Sequence, residues 1–176
     1  MKVHIIKPYS LEKNLGKAYN EAMAMIPEGD WACLMDYDTM FLTPDCGRIL
    51  SAYVRECPHA GIMTCLTNRI GNPSQRVSML ENETSIIEHI KYAEDRSSLP
   101  VIASIIDEPI SGFLMMISKE TWNKIKFDES GKCLGVDNDY SRRILEAGMS
   151  IIRMDALYVF HIYRMKQGVK NKTHLL

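Results

Sequence analysis

Trp31-Ala32-Cys33-Leu34-Met35-Asp36-Tyr37-Asp38-Thr39 is the stretch whose reading decides the fold. An unbroken apolar run from Trp31 to Met35 predicts a strand buried on both faces of a sheet. The run passes directly into an acidic pair. Residues two apart on an extended backbone face the same side, so the Asp36 and Asp38 carboxylates project together from the carboxyl end of that strand. Ligands bind at this edge in open α/β sheets. Two neighbouring carboxylates repel each other and call for a cation. Mg²⁺ or Mn²⁺ fits, because these hard ions take oxygen ligands and bridge to phosphates. The alternative is that Asp-x-Asp merely solvates a strand end.

On the N-terminal side, Val3 to Ile6 is a short apolar run closed by Lys7-Pro8 and reads as a first strand. Leu11, Leu15, Ala18, Tyr19, Ala22, Met23 and Ile26 recur at helical spacing, with Ser10 as N-cap and Pro27-Glu28-Gly29 as the stop. On the C-terminal side the pattern predicts a helix over 44–56, a strand over 60–66 and a Gly/Pro/Asn-rich loop over 68–74. A surface helix over 82–95 follows. Strands over 101–106 and 113–117 flank the Asp107-Glu108-Pro109 turn, and a short helix covers 118–125. A helix over 137–147 ends at Gly148, and strands follow over 150–154 and 157–160. Alternating strands and helices predict an α/β fold with a mixed, mostly parallel sheet. One compact domain over 1–164 and a basic tail over 165–176 account for the chain.

Composition narrows the class. The chain has 176 residues, 46% hydrophobic and 24% charged, which are ordinary globular values. Its 21 Lys and Arg against 22 Asp and Glu argue against nucleic acid held by a global basic surface. No apolar run approaches the roughly 20 residues of a transmembrane helix, and the apolar part of the N-terminus is too short for a signal peptide. The 5 cysteines, at 33, 46, 57, 65 and 133, are odd in number and include no Cys-x-x-Cys. That spacing argues for a reducing, cytoplasmic location.

Two further segments carry chemistry. Gly135-Val136-Asp137-Asn138-Asp139-Tyr140-Ser141-Arg142-Arg143 opens the last helix. Asp137 or Asn138 can cap it, and Asp139 suits the first turn. Alternatively, a carboxylate held there faces the same crevice as the Asp-x-Asp and accepts a proton from a hydroxyl nucleophile. His161 follows the apolar run 157–160 and reads either as a hydrogen-bonded structural residue or as a third partner for Mn²⁺. Arg164 lies three residues on, within reach of a phosphate. From 156 to the end the charged residues are Arg164, Lys166, Lys170 and Lys172, either a solvated tail or a segment that closes over an anion.

In their order these segments resemble the GT-A glycosyltransferases, nearest the large family-2 type. The resemblance covers roughly 150 residues from position 15 onward. It rests on Leu15-Gly16-Lys17-Ala18-Tyr19-Asn20 ahead of Asp36-Tyr37-Asp38, on Gly112 to Trp122 with Phe127-Asp128-Glu129, on Asp137 to Gly148, and on Val159 to Arg164. It implies a Rossmann-related, single-domain fold that moves a sugar from a nucleotide diphosphate donor, UDP-linked as first guess, to a hydroxyl acceptor. Asp36, Asp38 and His161 would hold the metal, with Asp36 contacting either the ribose or the ion. Asp137 would be the general base of an inverting transfer. Pro8, Tyr9, Lys17, Asn20, Asp36, Gly112 and Arg164 would contact the nucleotide sugar. Two departures stand out. Only residues 7–14 separate the first strand from the Lys-x-x-Asn helix, so the base-reading unit of the family is shortened or missing. In addition, Val136 stands where the family often has an acid. Two other functions fit parts of the pattern. One is a haloacid-dehalogenase-type phosphatase, with Asp36 on its nucleophile strand, although Met40 occupies the place that pattern gives to Thr. The other is an inert nucleotide-sugar-binding module on the same fold.

Overall fold

The computed structural model describes residues 1–131 and 134–163. Seven strands form one sheet: β1 (Val3–Ile6), β2 (Trp31–Met35), β3 (Thr39–Phe41), β4 (Ile62–Thr67), β5 (Ala103–Ile106), β6 (Leu114–Ser118) and β7 (Ile151–His161). Five α-helices among the described residues flank it: α1 (Leu15–Ala24), α2 (Cys46–Glu56), α3 (Ile86–Ser97), α4 (Lys119–Lys124) and α5 (Val136–Glu146). The strand order is β1-β2-β6-β4-β7-β3, with β5 also pairing β7.

The class is α/β and the sheet is mixed, but it is not mostly parallel. Among the described residues only β1–β2 and β4–β7 run parallel, whereas β2–β6, β3–β7, β4–β6 and β5–β7 are antiparallel. Strand β6 is the cause. It enters the middle of the sheet from the 107–113 loop in the direction opposite to β2, and apolar periodicity carries no information about direction.

The uninterrupted apolar run of β2 has the consequence expected of it. Trp31, Cys33 and Met35 face one core with Ile49, Leu50, Tyr53 and Val54 of α2. Ala32 and Leu34 face the other, with Tyr19 and Met23 of α1, Trp122 of α4, and Tyr140 and Ile144 of α5. The sheet is thus the middle of three layers. A smaller cluster of Leu66, Val77, Leu80, Ala93 and Tyr158 seats α3. There His89, fully buried, lies 2.7 Å from the Tyr158 hydroxyl and 3.1 Å from the Glu83 carbonyl.

Three local expectations are corrected. The α1 N-cap is Asn14, whose side chain accepts from the Lys17 N–H at 3.0 Å. Ser10 instead accepts from the Asn14 N–H, so helix starts one turn later. The N-cap position of α5 is Gly135, left-handed at φ 79°, so neither Asp137 nor Asn138 is the N-cap. Finally, the two strands expected over 150–160 are one strand, β7, irregular where residues 155–157 intervene between the partners of Cys65 and Leu66. Asp155 sits in that irregularity, buried, accepting from Arg153 Nε at 2.6 Å and from Ser104 Oγ at 2.5 Å. Its acid, which breaks the apolar pattern, is satisfied without ending the strand.

Candidate metal and catalytic site

Strand pairing assembles the site. Short β3, which follows the Asp36–Asp38 turn, pairs with the far end of β7 in the register Thr39↔His161. The Ile162 N–H also donates to the Asp38 carbonyl at 3.0 Å. His161 is thereby set against an acidic pair more than a hundred residues earlier. Ligand atoms of Asp36, Asp38 and His161 all lie within 4.8 Å of one another, with the two carboxylates part exposed and the imidazole buried.

The imidazole is fixed by its neighbours. His161 Nδ1 lies 2.8 Å from the Arg69 carbonyl, and the His161 N–H donates to Asn68 Oδ1 at 2.8 Å. A carbonyl can only accept, so Nδ1 carries the proton. In the neutral ring Nε2 then presents a lone pair, and it lies 3.3 Å from Asp38 Oδ1. Two acceptors facing each other need something positive, either a second proton on the ring or a metal ion. Two carboxylates and one imidazole form a donor set suited to Mn²⁺ or Mg²⁺. The rings of Phe113 and Tyr163 stack on His161 at 5.7 and 5.1 Å between centroids.

The acids are driven apart electrostatically. Burial pushes the Asp36 carboxyl up to about 6, with Asp38 and Asp137 adding repulsion while His161 and Lys7 oppose it. Asp38 is also raised by burial, but the hydrogen bond and charge of His161 more than offset this and hold it below the ordinary range. Neighbouring carboxylates in different states are a frequent property of functional sites.

Asp137 approaches from α5. The Asp36 N–H donates to the Phe113 carbonyl at 3.0 Å, and the adjacent Gly112 N–H donates to Asp137 Oδ2 at 2.6 Å. A Cβ on residue 112 would lie 2.7 Å from Asp137 Cβ, so only glycine allows this approach. Burial raises the Asp137 carboxyl, partly opposed by the Gly112 hydrogen bond. Asp139 is engaged elsewhere, bonded to Arg142 at 2.6 Å and Arg143 at 2.9 Å.

The other expected contacts divide. Lys17 is exposed and lies 3.5 Å from Glu12. Pro8 and Tyr9 follow β1, with Tyr9 77% exposed. A small cleft of about 160 Å³ is lined by Tyr9, Ser10, Glu12, Asn14 and Lys17 among others, and includes none of Asp36, Asp38 or His161. Asn20 is engaged within the protein. Its side chain donates to the Phe127 carbonyl at 2.9 Å and to Glu129 Oε1 at 2.6 Å, and accepts from Trp122 Nε1 at 2.8 Å and the Phe127 N–H at 3.0 Å. It therefore ties α1 to the 127–129 segment. Arg164 and the 165–176 tail lie outside the described residues.

Sequence reasoning missed three parts. Lys7 Nζ donates to the Thr39 carbonyl at 2.7 Å and the Tyr37 carbonyl at 3.2 Å. Its place directly after β1, at the same sheet edge as Asp36, was a usable signal. Gln75, fully buried, accepts from the Ser111 N–H at 2.8 Å and donates to the Ser111 carbonyl at 3.0 Å, fixing the residue next to Gly112. The Arg69 carbonyl that orients His161 is a backbone atom with no sequence signature.

The sequence matches no protein-family model and no curated protein. No helix among the described residues is long and apolar enough to cross a membrane.

Proposed function

We propose that this chain is a metal-dependent glycosyltransferase of GT-A type, transferring a sugar from a nucleotide diphosphate donor, UDP-linked as first choice, to a hydroxyl acceptor. The observation that carries the reading is the Asp36, Asp38 and His161 group, with the second imidazole nitrogen turned toward the Asp38 carboxylate at 3.3 Å. These residues would hold Mn²⁺ or Mg²⁺, which when bound offsets charge on the diphosphate leaving group. Asp137 is the base. Its carboxylate, raised by burial yet fixed through Gly112, takes the proton from the acceptor hydroxyl as that oxygen attacks the sugar carbon on the face opposite the diphosphate. A base of raised pKa is closer to neutrality and more effective as a proton acceptor. The antiparallel β6 places Gly112, and with it Asp137, beside the Asp36 end of β2, which supports a base and a metal centre sharing one crevice.

Calorimetry of UDP with the wild-type chain, first in Mn²⁺ and then in EDTA, tests the reading. Binding should require the divalent ion, and Asp38→Ala should lose the metal response more fully than Asp36→Ala. Equal affinity in both buffers would remove the metal centre from the reading.

A further inference from the structure

Lys7 is the cation built into this crevice by the fold itself. Because β1 pairs in parallel with β2 in the register Ile6↔Leu34, the residue leaving β1 emerges at the sheet edge where Asp36 leaves β2. The side chain of Lys7 reaches across the Asp36–Asp38 turn and donates to the carbonyls on either side of Asp38, those of Tyr37 and Thr39. The turn has other ties besides this grip. The Thr39 N–H and hydroxyl both donate to the Asp36 carbonyl, at 3.3 and 2.6 Å, and β3 is paired with β7. Holding the turn is therefore not the main consequence of placing an ammonium here. Lys7 is exposed, so its charge is not buried for packing, and two carbonyls leave one of its three N–H groups for another acceptor.

An exposed ammonium beside a metal-binding carboxylate pair acts in opposite directions on the two charges that could enter. It repels a bare divalent ion, and it attracts the phosphate oxygens of an ion that arrives with a polyphosphate. We propose that Lys7 makes this centre selective for a cation–diphosphate pair over the cation alone, with the ammonium as the phosphate contact on the β1 side. The inference rests on the metal-centre reading above and adds to it the residue that couples ion and diphosphate.

The coupling gives a change of sign that a structural role cannot imitate. In Lys7→Met, Mn²⁺ alone should bind about three- to tenfold more tightly, while UDP in saturating Mn²⁺ should bind about three- to tenfold more weakly, the range for a solvent-screened charge. Lys7→Arg keeps the charge and should follow the wild type in both titrations. Calorimetry with Mn²⁺ alone and with UDP in Mn²⁺ on the three proteins reads all of this. If both affinities fall together in Lys7→Met, or neither moves, the residue is only a brace for the turn and the inference fails. An arginine variant that behaves like the methionine one would rule out charge as the cause. Wild-type chain whose UDP affinity is the same in Mn²⁺ and in EDTA would instead overturn the metal centre itself, and this inference with it.

Discussion

Replacing Asp36 by asparagine should make the metal-free protein more stable at neutral pH and leave it unchanged in acid. A carboxyl that titrates near 3.8 in the unfolded chain is pushed up to about 6 in the folded one, chiefly by burial and then by the charges of Asp38 and Asp137. Between those two values the folded state binds more protons than the unfolded state, so stability falls as pH rises. The contribution is fully present below about 3.8 and lost by passing through about 6. The difference corresponds to about 3 kcal/mol, an upper bound because the carboxylate is part exposed and screened. Asp38 is held below its ordinary value, so its own contribution changes only at lower pH. Asp137 is raised as well and produces a decline of the same sign in both proteins, which the comparison largely cancels. The assay is urea unfolding in EDTA from pH 4 to pH 8 on wild type and Asp36→Asn. The curves should coincide near pH 4 and separate through pH 6, with the variant more stable by up to about 3 kcal/mol at pH 7. Added Mn²⁺ should reverse the order, since only the wild type retains both carboxylates, and an ion at a hundred times its Kd stabilises by about 2.7 kcal/mol. Parallel pH profiles, or an asparagine variant less stable at pH 7 without metal, would refute the reasoning.

Two substitutions separate chemistry from architecture. Asp137→Asn keeps an oxygen for the Gly112 N–H and is not the N-cap of α5, so the fold and UDP affinity should persist. The sugar-transfer rate should fall about 10²–10⁴-fold, and a rate within a few-fold of wild type would exclude Asp137 as the base. Asn20→Ala should do the reverse. It strands the Trp122 indole N–H and the Phe127 N–H in the core, costing at least about 2 kcal/mol in denaturant unfolding, while Mn²⁺ affinity stays unchanged. A loss of Mn²⁺ affinity in a folded Asn20→Ala protein would place this residue in the site after all.

How much of this was legible in the sequence depended on whether a signal was local. The β2 run and the Asp36–Asp38 pair were legible because strand burial and side-chain alternation are set by neighbouring residues. The same holds for α2, α4 and the body of α5. Strand direction was not legible, since the antiparallel course of β6 depends on how the 107–113 loop turns, and apolar patterns read the same in both directions. The three-residue β3 escaped notice because Thr39-Met40-Phe41 is too short to show a period. Yet β3 is the element that matters most for the site, because its pairing with β7 converts a polar strand end and a lone histidine into neighbours. Asn20 shows how a motif position can also be taken up by the fold. Its spacing from Lys17 matched a ligand-binding pattern, but the amide is consumed by Trp122, Phe127 and Glu129. A short polar side chain on a buried helix face must find hydrogen-bond partners within the protein, and that requirement alone accounts for its presence. His161 meets the same requirement at Nδ1, through the Arg69 carbonyl. What distinguishes it from Asn20 is the second nitrogen, turned toward Asp38 rather than toward a donor. A buried polar group with every valence satisfied is explained by folding, whereas the second nitrogen of His161 faces a carboxylate, an arrangement that a second ring proton or a bound cation would each satisfy.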